Sequence, residues 1–253
     1  MKIKVIGCFG AMINGYHLSC FLVNNNILLD AGASMFLDYE DQIAIDHILI
    51  THSHLDHTVG IPFLVDTVFS RKENQIKIYG LFECLKALKD NLFSEYIWPD
   101  FTSIPISAPK LGFIPIQHLD SFFINGIKIT PLRINHIVPT VAYFLEEGDK
   151  QFLYVGDMHH TDSLWEEVNK RAKDLRGVII ETSFPNKLDW LAKSSGHLTP
   201  SQLELEIKKL KEPVPIYVFH MKPMFIEELV EEIYSIKYPE RIKILNQEDI
   251  LEF

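Results

Sequence analysis

The segment Thr51-His52-Ser53-His54-Leu55-Asp56-His57, entered from the apolar run Ile48-Leu49-Ile50, decides how the rest of the chain is read. Three imidazoles and one carboxylate fall within six residues, a density of metal-ligand groups that an ordinary solvated loop rarely carries. If the backbone stays extended beyond the strand, residues 52, 54 and 56 project to one side, because strand side chains alternate. The chain must then turn into a helix, which swings His57 beside Asp56. Two imidazoles from one side and an Asp–His pair from the other can hold two cations close together.

Further along, the same theme recurs at three separated places. His136 follows Arg133-Ile134-Asn135, Asp157 follows Phe152-Leu153-Tyr154-Val155-Gly156, and His220 follows Ile216-Tyr217-Val218-Phe219. Each is a metal-ligand residue at the tip of an apolar, strand-like run. Singly, a His or Asp at a strand end is an ordinary structural or turn residue. The repetition is what makes His136, Asp157 and His220 candidates, out of eleven histidines in the chain.

Composition bounds the possibilities. The 253 residues are 47% hydrophobic and 23% charged, the balance of a folded globular chain with a sizeable core. Lys plus Arg is 24 against 34 Asp plus Glu, a formal charge of −10, which lacks the electrostatic footprint of a binder of long nucleic acids. Cys8, Cys20 and Cys84 are odd in number and show no CxxC spacing, so they read as buried small hydrophobes in a reducing compartment. No apolar run approaches the ~20 residues of a membrane span. The opening stretch Met1–Gly10 reads as a first strand and not as a leader.

Short runs rich in Ile, Leu and Val predict strands at 2–6, 19–23, 27–30, 47–51, 75–79, 127–133, 141–146, 152–155, 177–181 and 216–219. Helices are predicted at 59–69, 163–172, 201–211 and 224–236. Pro62 is tolerable only in the first turn of its helix. Thr199, Pro200 and Gln202 form a helix-start signature, with a capping box and proline at the first helical position. Strands, a helix, more strands and then alternation occur in the first half and again in outline in the second. That order predicts an α/β (α+β) domain spanning residues 1–253, built of two mixed sheets with helices outside.

His52-x-His54-x-Asp56-His57 followed by His136, Asp157 and His220 resembles the metallo-β-lactamase superfamily over nearly the whole chain. The segments 52–57, Glu181-Thr182-Ser183-Phe184, Gly196-His197-Leu198-Thr199-Pro200 and His220-Met221-Lys222-Pro223 are similar to the class II cyclic-nucleotide phosphodiesterases. Leu28-Leu29-Asp30-Ala31-Gly32 resembles the superfamily's second hairpin. The resemblance implies a four-layer αββα sandwich. It implies that His52, His54 and His136 hold one metal, that Asp56, His57 and His220 hold a second, and that Asp157 bridges them. Such a ligand set, without thiolate, suits Zn²⁺, with Mn²⁺ or Fe²⁺ also able to occupy it. The implied reaction is hydrolysis of 3′,5′-cyclic nucleotides, such as cyclic AMP or cyclic GMP, to 5′-nucleotides in the cytoplasm. Asp56 is expected to orient the attacking water, His197 to protonate the leaving 3′-oxygen, and Glu181 to fix the tautomer of His197.

Other residues carry weaker signals. Gly10–Ser19 is a loop able to approach a ligand, but it reads equally as a hairpin connection. His17, His47 and His118 are read as structural, and His159 and His160 as loop residues beside Asp157. Phe184, Trp98, Trp190 and Phe225 are candidate stacking platforms for a base, although 17 phenylalanines make core roles common. The nearest alternative is a tRNA 3′-processing endonuclease, which needs a basic arm that this chain lacks. A lactonase or thioesterase stays open, because a metal site alone does not select phosphorus over carbon. A di-iron redox protein is disfavoured by His54, where such proteins usually place Glu, and a non-catalytic binding module by the complete ligand set together with Glu181 and His197. No membrane partner is expected, and the sequence is silent on homodimer formation.

Overall fold

The computed structural model describes residues 1–237 and 239–253. Two seven-stranded mixed sheets make up its centre. The first contains β1 (Lys2–Gly7), β2 (Cys20–Val23), β3 (Ile27–Ala31), β4 (His47–Leu49), β5 (Ile76–Leu81) and β6 (Leu111–Ile116). The second contains β7 (Phe122–Ile124), β8 (Ile127–Ile134), β9 (Thr140–Glu147), β10 (Lys150–Tyr154), β11 (Leu175–Glu181), β12 (Ile216–Phe219) and β13 (Ile242–Ile244). The last strand, β14 (Ile250–Glu252), returns to the first sheet and pairs with β1. The α-helices are α1 (Tyr39–Ala44), α2 (Leu55–Thr58), α3 (Gly60–Val68), α4 (Phe82–Ala87), α5 (Asp162–Arg171), α6 (Asp189–Ser195), α7 (Pro200–Ile207) and α8 (Ile226–Ser235). This is the two-sheet α/β architecture expected from the sequence.

The two sheets share one pairing pattern. In order β14-β1-β2-β3-β4-β5-β6, the first three pairings are antiparallel and the last three parallel. The order β7-β8-β9-β10-β11-β12-β13 repeats that sequence of pairings. Strands near the middle are buried on both faces, which explains their near-continuous apolar runs: Ile27–Ala31 is buried throughout, as are five consecutive residues Val141–Leu145. A single hydrophobic core cluster runs through both sheets.

Turn chemistry follows the sequence. Asn24 and Asn25 (φ 44° and 66°) close the β2–β3 hairpin, and Asn125-Gly126 (φ 50° and 84°) closes β7–β8. Both are left-handed pairs whose twist suits a tight hairpin. The α7 start forms the predicted capping box, Thr199 Oγ1 accepting from Gln202 N–H and Gln202 Oε1 accepting from Thr199 N–H.

Several sequence readings are corrected. The extended run after β4 ends at His54, and Leu55 already begins α2, so Asp56 is carried by a helical turn and not by strand alternation. The helix read at 59–69 is present as α3, with Pro62 in its first turn as expected, but it is separate from α2. The helix read to residue 211 ends at Ile207. Strands β6, β7, β13 and β14 were not anticipated. β7, β13 and β14 have three residues each, and β6 is an edge strand carrying Gly112 and Pro115, which weaken a strand signal. No described helix is long and apolar enough to cross a membrane.

Candidate metal centre

Sheet direction explains why distant residues meet. β10, β11 and β12 run parallel, and β8 runs with β10 because each is antiparallel to β9. Their carboxyl ends therefore lie on one edge, delivering His136 after β8, Asp157 after β10, Glu181 at the end of β11 and His220 after β12. In the first sheet β3 and β4 are parallel, and their carboxyl ends deliver Asp30 and the 52–57 segment. Ligand sites in α/β folds form outside the carboxyl ends of strands for this reason.

Three donor sets converge there: His52, His54, His136 and Asp157; Asp56, His57, Asp157 and His220; and Glu181, His197 and His220. In each set the donor atoms lie within 4.8 Å of one another. The structure thus brings together all seven residues singled out as ligands. His54 Nδ1 stands 3.4 Å from His136 Nε2, and His57 Nε2 stands 3.3 Å from His220 Nε2. Asp157 lies between the sets, Oδ2 being 3.7 Å from His52 Nε2 and 3.2 Å from His57 Nε2, and Oδ1 3.4 Å from His220 Nε2. Asp56 Oδ2 is 3.3 Å from His220 Nε2.

The residues fit divalent cations on three grounds. Tetrahedral ligands at a Zn–N distance of about 2.05 Å are separated from one another by about 3.3 Å, close to the spacings above. Second, His52 Nε2, Asp157 Oδ1 and Asp157 Oδ2 are buried with no hydrogen-bond partner among the described residues, an arrangement that a cation in the shared space would satisfy. Third, the hydrogen-bond arithmetic fixes the tautomers. Thr51 Oγ1 donates to Asp30 Oδ2 (2.9 Å), so it accepts from His52 Nδ1 (2.9 Å). His57 Nδ1 donates to Asp30 Oδ2 (2.7 Å) and His136 Nδ1 to the Gly196 carbonyl (2.9 Å). Ser183 Oγ donates to Glu181 Oε2 (2.7 Å) and accepts from His220 Nδ1 (2.9 Å). Four Nε2 lone pairs are left facing the cluster, the arrangement typical of histidine ligands held from behind. Burial drives the pKa of His52, His54 and His136 below the ordinary histidine value, favouring the neutral, ligating form.

Close backbone approach completes the frame. A Cβ on Gly10 would stand 2.6 Å from His220 Nδ1, and Gly196 (φ 74°) would put one 2.8 Å from His136 Nδ1. His220 itself holds φ 66°, its N–H bonded to the Cys8 carbonyl at 2.7 Å. Such a left-handed His is strained, and the strain sits where the ligand is aimed.

His197 lies at the edge of the cluster, buried at the turn between α6 and α7. Its Nδ1 donates to Glu181 Oε1 at 2.8 Å and is 3.9 Å from Asp157 Oδ2. Burial alone would lower its pKa, but the Glu181 and Asp157 carboxylates together outweigh burial and the net shift is upward. Phe184 packs edge-on against His197, ring centroids 5.8 Å apart.

Sequence reading assigned no role to Asp30, Thr51, Tyr154 or Ser183. Asp30 is fully buried at φ 54°, and it accepts from Thr51 N–H (2.8 Å), Thr51 Oγ1, His57 Nδ1 and Tyr154 Oη (2.6 Å). A carboxylate inside the run Ile27-Leu28-Leu29-Asp30-Ala31 was the available signal. Of the weaker candidates, His47 bonds to Tyr79, His118 accepts from Arg133 N–H, and His17 stacks on Phe36. His160 meets Glu206, and the His159 ring lies against the His197 carbonyl. Trp98 packs on Phe63, and Trp190 is 67% exposed with no aromatic partner among the described residues; of the four candidate platforms, Phe184 is in ring contact with the cluster. All three cysteines are buried and unpaired.

Comparison with known proteins agrees with the geometry. The Beta-lactamase superfamily domain matches residues 25–221. A Yersinia pestis protein described as "Probable 3',5'-cyclic-nucleotide phosphodiesterase" is 26% identical over 207 residues, 72% of this chain and 58% of that protein. "Ribonuclease Z" of Metallosphaera sedula is 32% identical over 159 residues, 59% of this chain and 50% of that protein. The chain thus spans about half the length of these curated relatives. The crystal structure of unliganded yeast PDE1 superposes with a TM-score of 0.84 at 18% identity, covering 100% of this chain and 99% of that one. Two seven-stranded sheets, a histidine–aspartate cluster at their shared edge and a domain match over most of the sequence place the chain in the beta-lactamase superfamily, among hydrolases of the metallo-β-lactamase fold.

Proposed function

We propose that the protein hydrolyses phosphodiesters, with 3′,5′-cyclic nucleotides as the substrate class and 5′-nucleotides as products. In this reading residues 1–253 act as one domain. His52, His54 and His136 hold one divalent cation, Asp56, His57 and His220 hold another, and Asp157 touches both. An all-imidazole and carboxylate donor set favours Zn²⁺, and Mn²⁺ or Fe²⁺ fit the same ligands. When bound, the two cations supply Lewis-acid activation of water and neutralise charge on phosphoryl oxygens. The unpaired, buried thiols fit a reducing, cytoplasmic setting.

The observation that carries the reading is the Glu181–His197 pair beside Asp157. With Nδ1–H committed to Glu181 Oε1, His197 keeps Nε2 for a ligand. An imidazole whose pKa the carboxylate raises can carry a proton on Nε2 and donate it to a leaving 3′-oxygen. Glu181 orients the ring, and Ser183, bonded to Glu181 and His220, ties that orientation to a ligand residue. Asp56, whose side chain is partly exposed, would accept a hydrogen bond from the attacking water and orient it. Cyclic esters have poor alkoxide leaving groups, and a proton donor matters most there.

The test is metal quantitation on purified protein, followed by a panel of cyclic mononucleotides, cyclic dinucleotides, bis-p-nitrophenyl phosphate, a lactone and pre-tRNA. Turnover of a cyclic mononucleotide well above the lactone supports the reading, and preference for the lactone overturns it. A second reading, RNA 3′-processing, is favoured by the Ribonuclease Z relative. Against it stands the charge of −10, which predicts weak, salt-sensitive RNA binding in a mobility-shift assay.

A further inference from the structure

At the carboxyl end of β12, next to the cluster, lies a cation that the chemistry above does not use. Lys222 follows His220 by two residues, and its backbone N–H bonds to the Ser183 carbonyl at 3.2 Å. Its ammonium donates to the Gly10 carbonyl and stands 5.9 Å from the centroid of the Phe184 ring. Phe184 also packs against His197, so the ammonium and the imidazole flank the same ring. Gly10 in turn lies against His220. Lys222 is close enough that its charge opposes protonation of His197.

The half-buried Lys222 has no ion-pair partner among the described residues. The buried Lys72 and the half-buried Lys209, by contrast, sit on carboxylates. An ammonium has three N–H donors; one goes to Gly10, and two have no acceptor among the described residues. Held by the Gly10 carbonyl beside the cluster, the ammonium has two donors free for an anion that enters there. The Gly10 carbonyl and the Phe184 face fix its position.

We propose that Lys222 is an anion-recognising residue of this site, donating to a phosphoryl oxygen of the bound ester and of its 5′-phosphate product. This rests on the phosphodiesterase reading for the ester and on geometry alone for phosphate. A charge-assisted hydrogen bond is worth about tenfold to a hundredfold in affinity.

The experiment compares metal-loaded wild type with Lys222→Met, Lys222→Gln and Lys222→Arg, after melting curves confirm that each is folded. Calorimetric titration with inorganic phosphate should show affinity about tenfold or more weaker in Lys222→Met and Lys222→Gln, and within about threefold of wild type in Lys222→Arg. With bis-p-nitrophenyl phosphate, KM should rise about tenfold in the neutral variants while kcat stays within about threefold. Equal phosphate affinity in wild type and both neutral variants would overturn the proposal. A wild type that turns over no phosphodiester would defeat the functional reading instead, and the phosphate titration would still decide the role of Lys222.

Discussion

The first sheet sends His52, His54, Asp56 and His57 to the centre from one short segment after β4, whereas the second sends His136, Asp157 and His220 from three strand ends separated by tens of residues. Their supports differ too. Behind the first group stands one buried carboxylate, Asp30, which gathers Thr51, His57 and Tyr154. Behind the second stand neutral acceptors, the Ser183 hydroxyl and the Gly196 carbonyl. One half of the site is prearranged locally around a charge, and the other depends on strand direction to bring its members together. The second half also holds Glu181 and His197, the pair assigned above to the proposed proton donation.

That contrast is sharpest at Asp157, the second-sheet residue shared by the His52–His54–His136 and Asp56–His57–His220 sets. Asp157→Ala should release at least one metal and lower phosphodiesterase turnover by about 10³-fold or more, read by elemental analysis and steady-state kinetics. His197→Ala should keep both metals yet lose about 10²–10⁴-fold on cyclic AMP, and much less on a p-nitrophenyl ester whose leaving group needs no proton. Equal losses on the two substrates would remove His197 from the proton-donor role.

Smaller effects separate the supports. Asp30→Asn weakens four hydrogen bonds around a buried charge and should cost about 10–100-fold in metal affinity, with Ser183→Ala costing less, as competition with a chromophoric chelator would show. The reverse order would mean that the first-sheet frame is not the stronger one. Smallest is an acid-side effect at Glu206, which accepts from Trp165 Nε1 (2.6 Å) and Lys209 Nζ (2.7 Å) and meets His160 in the loop after Asp157. Burial would raise its pKa, but these partners prevail and the net shift is downward. A lowered folded-state pKa means stability that is present above the unfolded carboxylate value and lost as pH falls through the folded one. Glu206→Gln should therefore be less stable than wild type near pH 7 by about 1 kcal/mol, with the difference shrinking below about pH 4 in melting curves.

Legibility in the sequence follows the same division. The 52–57 cluster is readable because its chemistry is local in the chain. His136, Asp157 and His220 are readable only as a repeated theme, since a strand end carries no record of which other ends share its edge. Asp30 and Ser183 escaped because their roles lie in the second atom of another residue's ring, and only coordinates reveal that pairing. The helical placement of Asp56 escaped because His54 is simultaneously the end of the extended run and the cap of α2. Three-residue strands such as β7 and β13 hold their place by pairing with neighbours, so their own residues show no periodicity.

The convergence of two sheets on a pair of cations is tested most directly by counting metal on the purified chain and its Asp157→Ala variant. Two equivalents of divalent metal are expected per wild-type chain, and one or none in the variant. Fewer than one equivalent in metal-reconstituted wild type, or two retained without Asp157, would contradict it.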